Sequence, residues 1–287
     1  MLAIITGSAA HEVLDRFGVR PDHLAPAETP VGTSSPLGLG SAGGVEVVVL
    51  ARHGLGGYAL AAPFVNYRAN VWALKERNVT QVIAWSGPGS IDVGVRIGEY
   101  VLPEDVLDET HGREDTFFEG TGLGVIRQNP VFCPRVKAAL RTACAEVGTP
   151  AHEGGTYVCT QGPRLETPAE IRKYRAVGGD FVGMTLCPEV FLARELEICY
   201  AAILYVTNYA EGLKPATSQP DRLFGGLMSL AEEQAQAEAV RGLPEVIGRA
   251  ARRLDEVGES CTCQRSMERY RKSGRIGDDW RRWTRYV

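Results

Sequence analysis

Thr156-Tyr157-Val158-Cys159-Thr160, halted by Gln161-Gly162-Pro163-Arg164, opens the stretch from Gly155 to Asn208 that decides the fold. Its β-branched and aromatic residues predict a strand, and the Gly-Pro pair breaks it. Thr167-Pro168-Ala169-Glu170 then reads as an N-cap with Pro at the first helical position, and Ile171 to Val177 carries a helix to Gly178-Gly179. A second strand follows over Asp180 to Met184 with Thr185 at its end, and Pro188-Glu189 opens a second helix, Val190 to Leu196. Tyr200 to Val206 is nearly continuous in apolar residues, as a strand buried on both faces must be, and it stops at Thr207-Asn208. Strand alternating with helix predicts an α/β chain.

Working outward, Met1 to Thr6 reads as a strand ending in Gly7-Ser8, Val45 to Ala51 as one ending in Arg52-His53-Gly54, and Gln81 to Ala84 as one ending in the turn from Trp85 to Ser90. Gly98 to Leu102 reads as a further strand, Asp105 to Glu119 as a long polar loop, and Pro134 to Val147 as an amphipathic helix. Asn66 to Arg77 is patterned as a helix with Tyr67, Val71 and Leu74 on one face and Arg68, Lys75 and Glu76 turned away. A long helix within Leu223 to Leu254, patterned by Leu227, Leu230, Ala231 and Ala235, closes a single domain with a central mixed sheet flanked by helices. Lys214 to Pro220 reads as a flexible cover over the pocket.

Glu166, Thr185 and Asn208 each fall where a strand ends or a helix begins. Ligands of open α/β sheets bind at that rim, where loops and helix N-termini converge. A carboxylate, a hydroxyl and a carboxamide there suit a small polar molecule. Taken singly, Glu166 reads as a helix N-terminal carboxylate and Asn208 as a turn residue.

Composition narrows the class. The chain has 287 residues, 44% hydrophobic and 23% charged, with no repeat and no apolar run long enough for a membrane helix. The N-terminus lacks a basic region ahead of an apolar core, so a cytoplasmic location is expected. Net charge of −4 argues against a nucleic-acid binder as a whole. The charge is uneven, however: Ser260 to Val287 holds eight Lys/Arg against three Asp/Glu, about +5, which leaves about −9 for the rest. We therefore divide the chain into a domain over 1–255 and a basic tail over 256–287, read first as a helical extension that packs on a neighbouring subunit. Binding to RNA, to a partner or to its own acidic body are the other readings. Cys133, Cys144, Cys159, Cys187 and Cys199 are scattered without ligand spacing and read as buried thiols. Cys261-Thr262-Cys263 is tight for a common zinc pair and has no second pair in sequence, so no metal is expected; redox pairing is left open.

Thr160-Gln161-Gly162-Pro163-Arg164-Leu165-Glu166-Thr167, Val182-Gly183-Met184-Thr185 with Pro188-Glu189-Val190, and Asn66 to Lys75 resemble the trimeric purine nucleoside phosphorylases. The likeness is greatest to the branch acting on 5′-methylthioadenosine and 5′-methylthioinosine, and runs from about Met1 to about Leu254. It implies a homotrimer with inorganic phosphate as co-substrate and no cofactor. By the same resemblance Ser8, Arg52, His53, Ser86 and Thr185 hold phosphate, Gly87 and Met184 meet ribose, and Leu165, Glu166 and Asn208 meet the base. The catalytic residues so implied are Asn208, Glu166 and His53.

Four positions depart from the family pattern. Ala9-Ala10-His11-Glu12 replaces a glycine-rich continuation, Gly56-Gly57-Tyr58 stands where a second His is common, and Trp85 and Pro88 flank the ribose turn. Val125 occupies the place of a His that reaches a neighbour's 5′ pocket, which suits an apolar 5′ group. Adenine-directed relatives carry Ser and Asp where this chain has Glu166 and Asn208. A carboxylate accepts from N1–H of a 6-oxopurine, while a carboxamide donates to O6 and accepts from N7–H. Adenine offers Glu166 no such proton, so inosine- or guanosine-type nucleosides, or 5′-methylthioinosine, are the expected substrates. The alternatives are a diverged member acting on methylthioadenosine or uridine-type nucleosides, hydrolysis in place of phosphorolysis, and a binding protein that uses its tail.

Overall fold

The computed structural model describes residues 1–56, 59–214, 223, 228–256 and 261–286, without the side chains of Ser8 and Ala10. Apolar and β-branched runs give β1 (Leu2–Thr6), β2 (Glu28–Thr29), β3 (Gly32–Thr33), β4 (Leu37–Ala42), β5 (Val45–Ala51), β6 (Gln81–Ser86) and β7 (Gly89–Ser90). They continue as β8 (Tyr100–Leu102), β9 (Asp105–Glu109), β10 (His152–Glu153), β11 (Thr156–Thr160), β12 (Phe181–Gly183), β13 (Cys199–Tyr205) and β14 (Asn208–Tyr209). The helices are α1 (Tyr67–Glu76), α2 (Pro134–Glu146), α3 (Pro168–Ala176), α4 (Glu189–Glu195), α5 (Leu230–Glu256) and α6 (Glu268–Lys272). This is the α/β architecture expected, with mixed sheets and flanking helices.

Among the described residues there are three sheets where one was expected, the smallest being the antiparallel pair β2-β3. Of the other two, the larger runs β10-β8-β13-β6-β1-β5-β4 and the smaller β14-β7-β12-β11-β9. In the larger sheet β5, β1, β6 and β13 are mutually parallel, and β4 and β8 pair antiparallel at its flanks. These two adjoin through chain that crosses between them: β6 leads to β7, β8 to β9 and β13 to β14, each after a break of two residues. Gly87-Pro88, Pro103-Glu104 and Val206-Thr207 make those breaks, and the carboxyl ends of β1, β5 and β6 open onto the seam.

Asp105 to Glu109, expected as loop, is the edge strand β9 paired parallel with β11. Three acidic residues around Val106-Leu107 leave it half-exposed and without strand alternation, and pairing supplies what local sequence does not. The helix α3 begins at the N-cap Thr167, whose side chain accepts from Glu170 N while the Glu170 carboxylate accepts from Thr167 N, a full capping box. The expected closing helix is α5, packed so closely on the β4–β5 turn that a Cβ on Gly43 would lie 2.3 Å from Gly248 O. Leu227 and residues 215–220 of the expected cover lie outside the described residues.

Residues 261–286 lie on their own chain. Cys263, Met267, Tyr270 and Trp283 are buried in the main core, and the Trp280 ring meets Trp72 edge-on at 4.8 Å. Met267 N donates to Glu197 Oε1 at 3.0 Å, Arg271 pairs with Glu197, and Arg285 pairs with Glu119 at 2.8 Å. Basic tail thus meets acidic body. The same contact buries Arg68, expected to face outward: it donates to Tyr286 OH at 2.6 Å and pairs with Glu114. Consequently α1 is buried nearly all round.

The cysteines are less scattered than their spacing suggests. The sulfurs of Cys133, Cys199, Cys261 and Cys263 all lie within 4.8 Å of one another. Cys144, Cys159 and Cys187 are buried free thiols, as expected.

Candidate active site

The seam opens into a cavity of about 340 Å³ lined by Arg52, His53, Ser86, Gly87, Leu165, Glu166, Met184, Thr185 and Asn208. All nine residues singled out with Ser8 therefore face one space. Gly7 lines it too, at the end of β1. The side chain of Ser8 lies outside the described residues, as does Tyr58.

One end of the cavity is a set of buried polar groups that hold one another. Arg52, at the end of β5, is fully buried; its Nη1 donates to Glu189 Oε1 at 2.6 Å and its Nη2 to Trp85 O at 2.8 Å. Burial alone would lower the pKa of this guanidinium, but the Glu189 carboxylate outweighs it and drives the pKa up, so the charge is fixed. Glu189 opens α4, where the helix dipole favours a carboxylate, and it also accepts from Tyr200 OH at 2.7 Å. Among the described residues the Arg52 Nε and Glu189 Oε2 have no hydrogen-bond partner.

His53 follows. Its Nδ1 lies 2.8 Å from Leu60 O, and since a carbonyl only accepts, Nδ1 carries the proton. Burial, reinforced by the Arg52 charge, pulls its pKa down to about 4, so the ring is neutral at pH 7. In that tautomer Nε2 is the proton-accepting nitrogen. Beside it, Ser86 Oγ sits 3.1 Å from Thr185 Oγ1 and 3.2 Å from Tyr157 OH, while Thr185 N donates to Tyr157 OH at 3.4 Å. The Ser86 and Thr185 hydroxyls and the Arg52 guanidinium line one pocket, with Tyr157 behind them, and suit an oxyanion.

The other end is built differently. Glu166, on the loop between β11 and α3, is 9% exposed and accepts from Thr160 Oγ1 at 2.5 Å. Burial raises its pKa and the Thr160 hydroxyl partly counters this. Asn208, in β14, accepts at Oδ1 from Thr207 Oγ1 at 2.7 Å and donates from Nδ2 to Tyr209 O at 2.8 Å. Each keeps hydrogen-bonding capacity beyond these contacts: lone pairs on the carboxylate, and one lone pair and one N–H on the carboxamide. Leu165, Val182, Met184 and Ala210 give apolar walls between the ends.

Four residues not singled out as site residues from the sequence complete the site. Arg113 donates from Nη1 to Met184 O at 2.8 Å and Cys187 O at 2.7 Å, and from Nη2 to Thr160 O at 3.1 Å and Gln161 O at 2.9 Å. It ties together the loops that carry Glu166 and Thr185. Tyr157 crosses under Gly183, where a Cβ would lie 2.1 Å from its hydroxyl; only Gly lets the phenol reach Ser86. Thr160 orients Glu166, and Glu189 fixes Arg52. Thr160 and Glu189 stand within the motifs that carry the resemblance, Glu189 after Pro188 at a helix start, whereas Arg113 and Tyr157 carry no such signal. Val125, expected to face a neighbouring subunit's 5′ pocket, stands 71% exposed with its backbone N–H donated to Tyr270 OH.

The Phosphorylase superfamily pattern matches residues 2–243. The chain belongs to that superfamily. A 6-oxopurine nucleoside phosphorylase of Pyrococcus furiosus is 42% identical over 74% of this chain and 80% of its own. A probable S-methyl-5′-thioinosine phosphorylase of Methanothermobacter thermautotrophicus is 37% identical over 93% of this chain and 89% of its own. Among solved structures, a methylthioadenosine phosphorylase from an antarctic soil metagenomic library superposes with TM-score 0.78 at 29% identity, covering 92% of this chain and 90% of its own. The superfamily match ends within α5, ahead of residues 261–286.

Proposed function

We propose that this protein is a nucleoside phosphorylase that cleaves 6-oxopurine nucleosides with inorganic phosphate, releasing free base and ribose 1-phosphate. The observation that carries the reading is the pairing, in one cavity, of a buried carboxylate and a carboxamide at one end with a guanidinium and a hydroxyl cluster at the other. Cleavage of the glycosidic bond builds positive charge on the ribose and negative charge on the base, so both ends act in the transition state. Phosphate beside Arg52, Ser86 and Thr185 supplies the counter-charge and the nucleophile, and no cofactor enters the reaction. Neutral His53 offers Nε2 as a hydrogen-bond acceptor to a phosphate hydroxyl, which keeps that proton and turns an anionic oxygen toward C1′. At the far end Glu166 accepts from N1–H, and Asn208 donates to O6 and accepts from N7–H as the base departs. Relatives named for 6-oxopurine nucleosides and for S-methyl-5′-thioinosine support this base preference.

Within this reading the enzyme is a cytoplasmic homotrimer. Phe64 and Val125, large apolar side chains 68% and 71% exposed, provide surface for a neighbouring subunit. Among the described residues no helix is long and apolar enough to cross a membrane.

Base release from inosine, guanosine, 5′-methylthioinosine, 5′-methylthioadenosine and uridine, each with and without phosphate, tests the proposal. Phosphate-dependent release favouring the 6-oxopurines by about 10²-fold or more in kcat/KM is expected, because adenine leaves a buried carboxylate unpaired. Equal rates without phosphate would make the protein a hydrolase, and preference for methylthioadenosine would overturn the assignment of Glu166 and Asn208.

A further inference from the structure

We propose that Cys133, Cys199, Cys261 and Cys263 form a structural zinc site that fastens residues 261–286 to the body of the enzyme. Their four sulfurs lie within 4.8 Å of one another, with Cys133–Cys261 and Cys261–Cys263 both at 3.4 Å. A Zn–S bond of about 2.3 Å in a regular tetrahedron sets the sulfur–sulfur edge at roughly 3.8 Å. The observed separations bracket that edge and exceed by far the roughly 2.05 Å of a disulfide. The group is also too tight for a cluster of several irons, whose thiolates stand on opposite sides of the cluster, so it fits one metal ion. Four soft thiolates in a tetrahedron select zinc among common divalent ions.

The surroundings suit a closed site. Cys133, Cys199 and Cys263 are buried and Cys261 is half-buried. Cys133 is the N-cap of α2, where the helix dipole favours a thiolate. Cys199 opens β13, between two core strands, and Cys261 and Cys263 flank the start of a 3₁₀ turn over Thr262–Arg265. Arg194, whose Nη2 donates to Val131 O at 2.9 Å, places a positive charge near Cys263. Binding of Zn²⁺ displaces four thiol protons, and the resulting complex carries two negative charges that Arg194 partly offsets. Two ligands come from the core and two from a tail beyond the superfamily match, so the CxC motif has its second pair in space and not in sequence. With all four positions filled by sulfur, the site is structural and leaves no place for water or substrate.

The test uses the full chain, purified without chelator or metal-affinity resin, and measures zinc by elemental analysis with free thiols counted in parallel. One zinc per chain is expected, released when the thiols are titrated with an organomercurial. Replacement by cobalt should give the thiolate charge-transfer and visible bands of tetrahedral coordination. C261S/C263S should lose the zinc and melt more than roughly 10 °C lower, yet release base from inosine within twofold of the parent rate at low temperature. Absence of zinc, with an intact mass two hydrogen pairs lighter than that of the reduced chain, would overturn the proposal in favour of two disulfides. Seven free thiols in protein supplied with zinc, or zinc unchanged in the double variant, would overturn it as well. Stoichiometric iron would overturn the choice of zinc.

Discussion

The two ends of the cavity hold their polar groups in opposite ways. At the end proposed for phosphate, Arg52 with Glu189 and Tyr200, Ser86 with Tyr157 and Thr185, and His53 with Leu60 O are buried groups held by protein partners. At the base end Glu166 rests on one hydroxyl, and Asn208 on one hydroxyl and one carbonyl. On the proposed function, an oxyanion common to every turnover meets a preorganised site that is also part of the fold. A base that must be chosen is met by groups with spare capacity. Damage to the first end should therefore appear as lost stability, and damage to the second as lost discrimination.

The largest effect is expected from Glu189→Ala. It strands the fully buried Arg52 charge and takes an acceptor from Tyr200, a loss of about 3–5 kcal/mol in urea unfolding. A cost under about 1 kcal/mol would mean that Arg52 is neutralised elsewhere, and the distinction between the two ends would fall. Next is the pH dependence set by His53. Its pKa is about 4 in the folded protein against 6.5 ordinarily, so the unfolded chain takes up the proton first as pH falls. The stability this group contributes is complete above pH 6.5 and is lost between 6.5 and about 4, roughly 3 kcal/mol in all. Glu195, raised to about 7 by burial, works in the other direction: its contribution is complete below its ordinary pKa and is lost as pH rises through about 7. The measurement is thus the difference in unfolding free energy between the parent and His53→Gln from pH 4.5 to 7. A difference that does not change with pH would show that burial leaves His53 free to protonate.

Glu166→Gln probes the other end. The amide can still accept from Thr160, so the fold should be nearly indifferent, while kcat/KM for inosine drops about 10- to 100-fold as a charge-assisted contact becomes neutral. KM for phosphate should stay within twofold. Because burial raises the Glu166 pKa, the parent's kcat/KM should fall on the acid side as the carboxylate protonates, a limb that Glu166→Gln lacks. A destabilisation as large as that of Glu189→Ala would erase the contrast.

Much of this was legible in the residues, for a physical reason. Strands such as β5 and β13 are apolar runs stopped by polar or Gly turns, and α3 carries its own start signal in Thr167 and Glu170. The same punctuation places Glu166, Thr185 and Asn208 at one rim, whereas Arg52 and Ser86 are marked by the resemblance to the phosphorylase family. What escaped depends on tertiary placement alone. Arg113 lies in a polar loop and acts through carbonyls from two other segments, and Tyr157 looks like any strand aromatic until Gly183 lets its hydroxyl through. β9 needs β11 to be a strand at all. The cysteine cluster is the extreme case, because two of its members are far apart along the chain and only the sheet and α2 bring them together.

The smallest effect, and the finest test of the contrast, is expected from Thr207→Val. The hydroxyl of Thr207 lies 2.7 Å from Asn208 Oδ1 and 3.0 Å from Pro88 O, and its single proton can serve only one of them at full strength. The shorter contact fixes which edge of the carboxamide is oxygen, and that decides whether Asn208 offers N–H to O6 or to nothing. Loss of one neutral hydrogen bond costs about 1 kcal/mol, so kcat/KM for inosine should fall about fivefold, and Thr207→Ser should restore it. An unchanged rate would mean that Tyr209 O alone orients the amide. A loss greater than that of Glu166→Gln would mean that Asn208, and not the carboxylate, carries most of the discrimination at the base end.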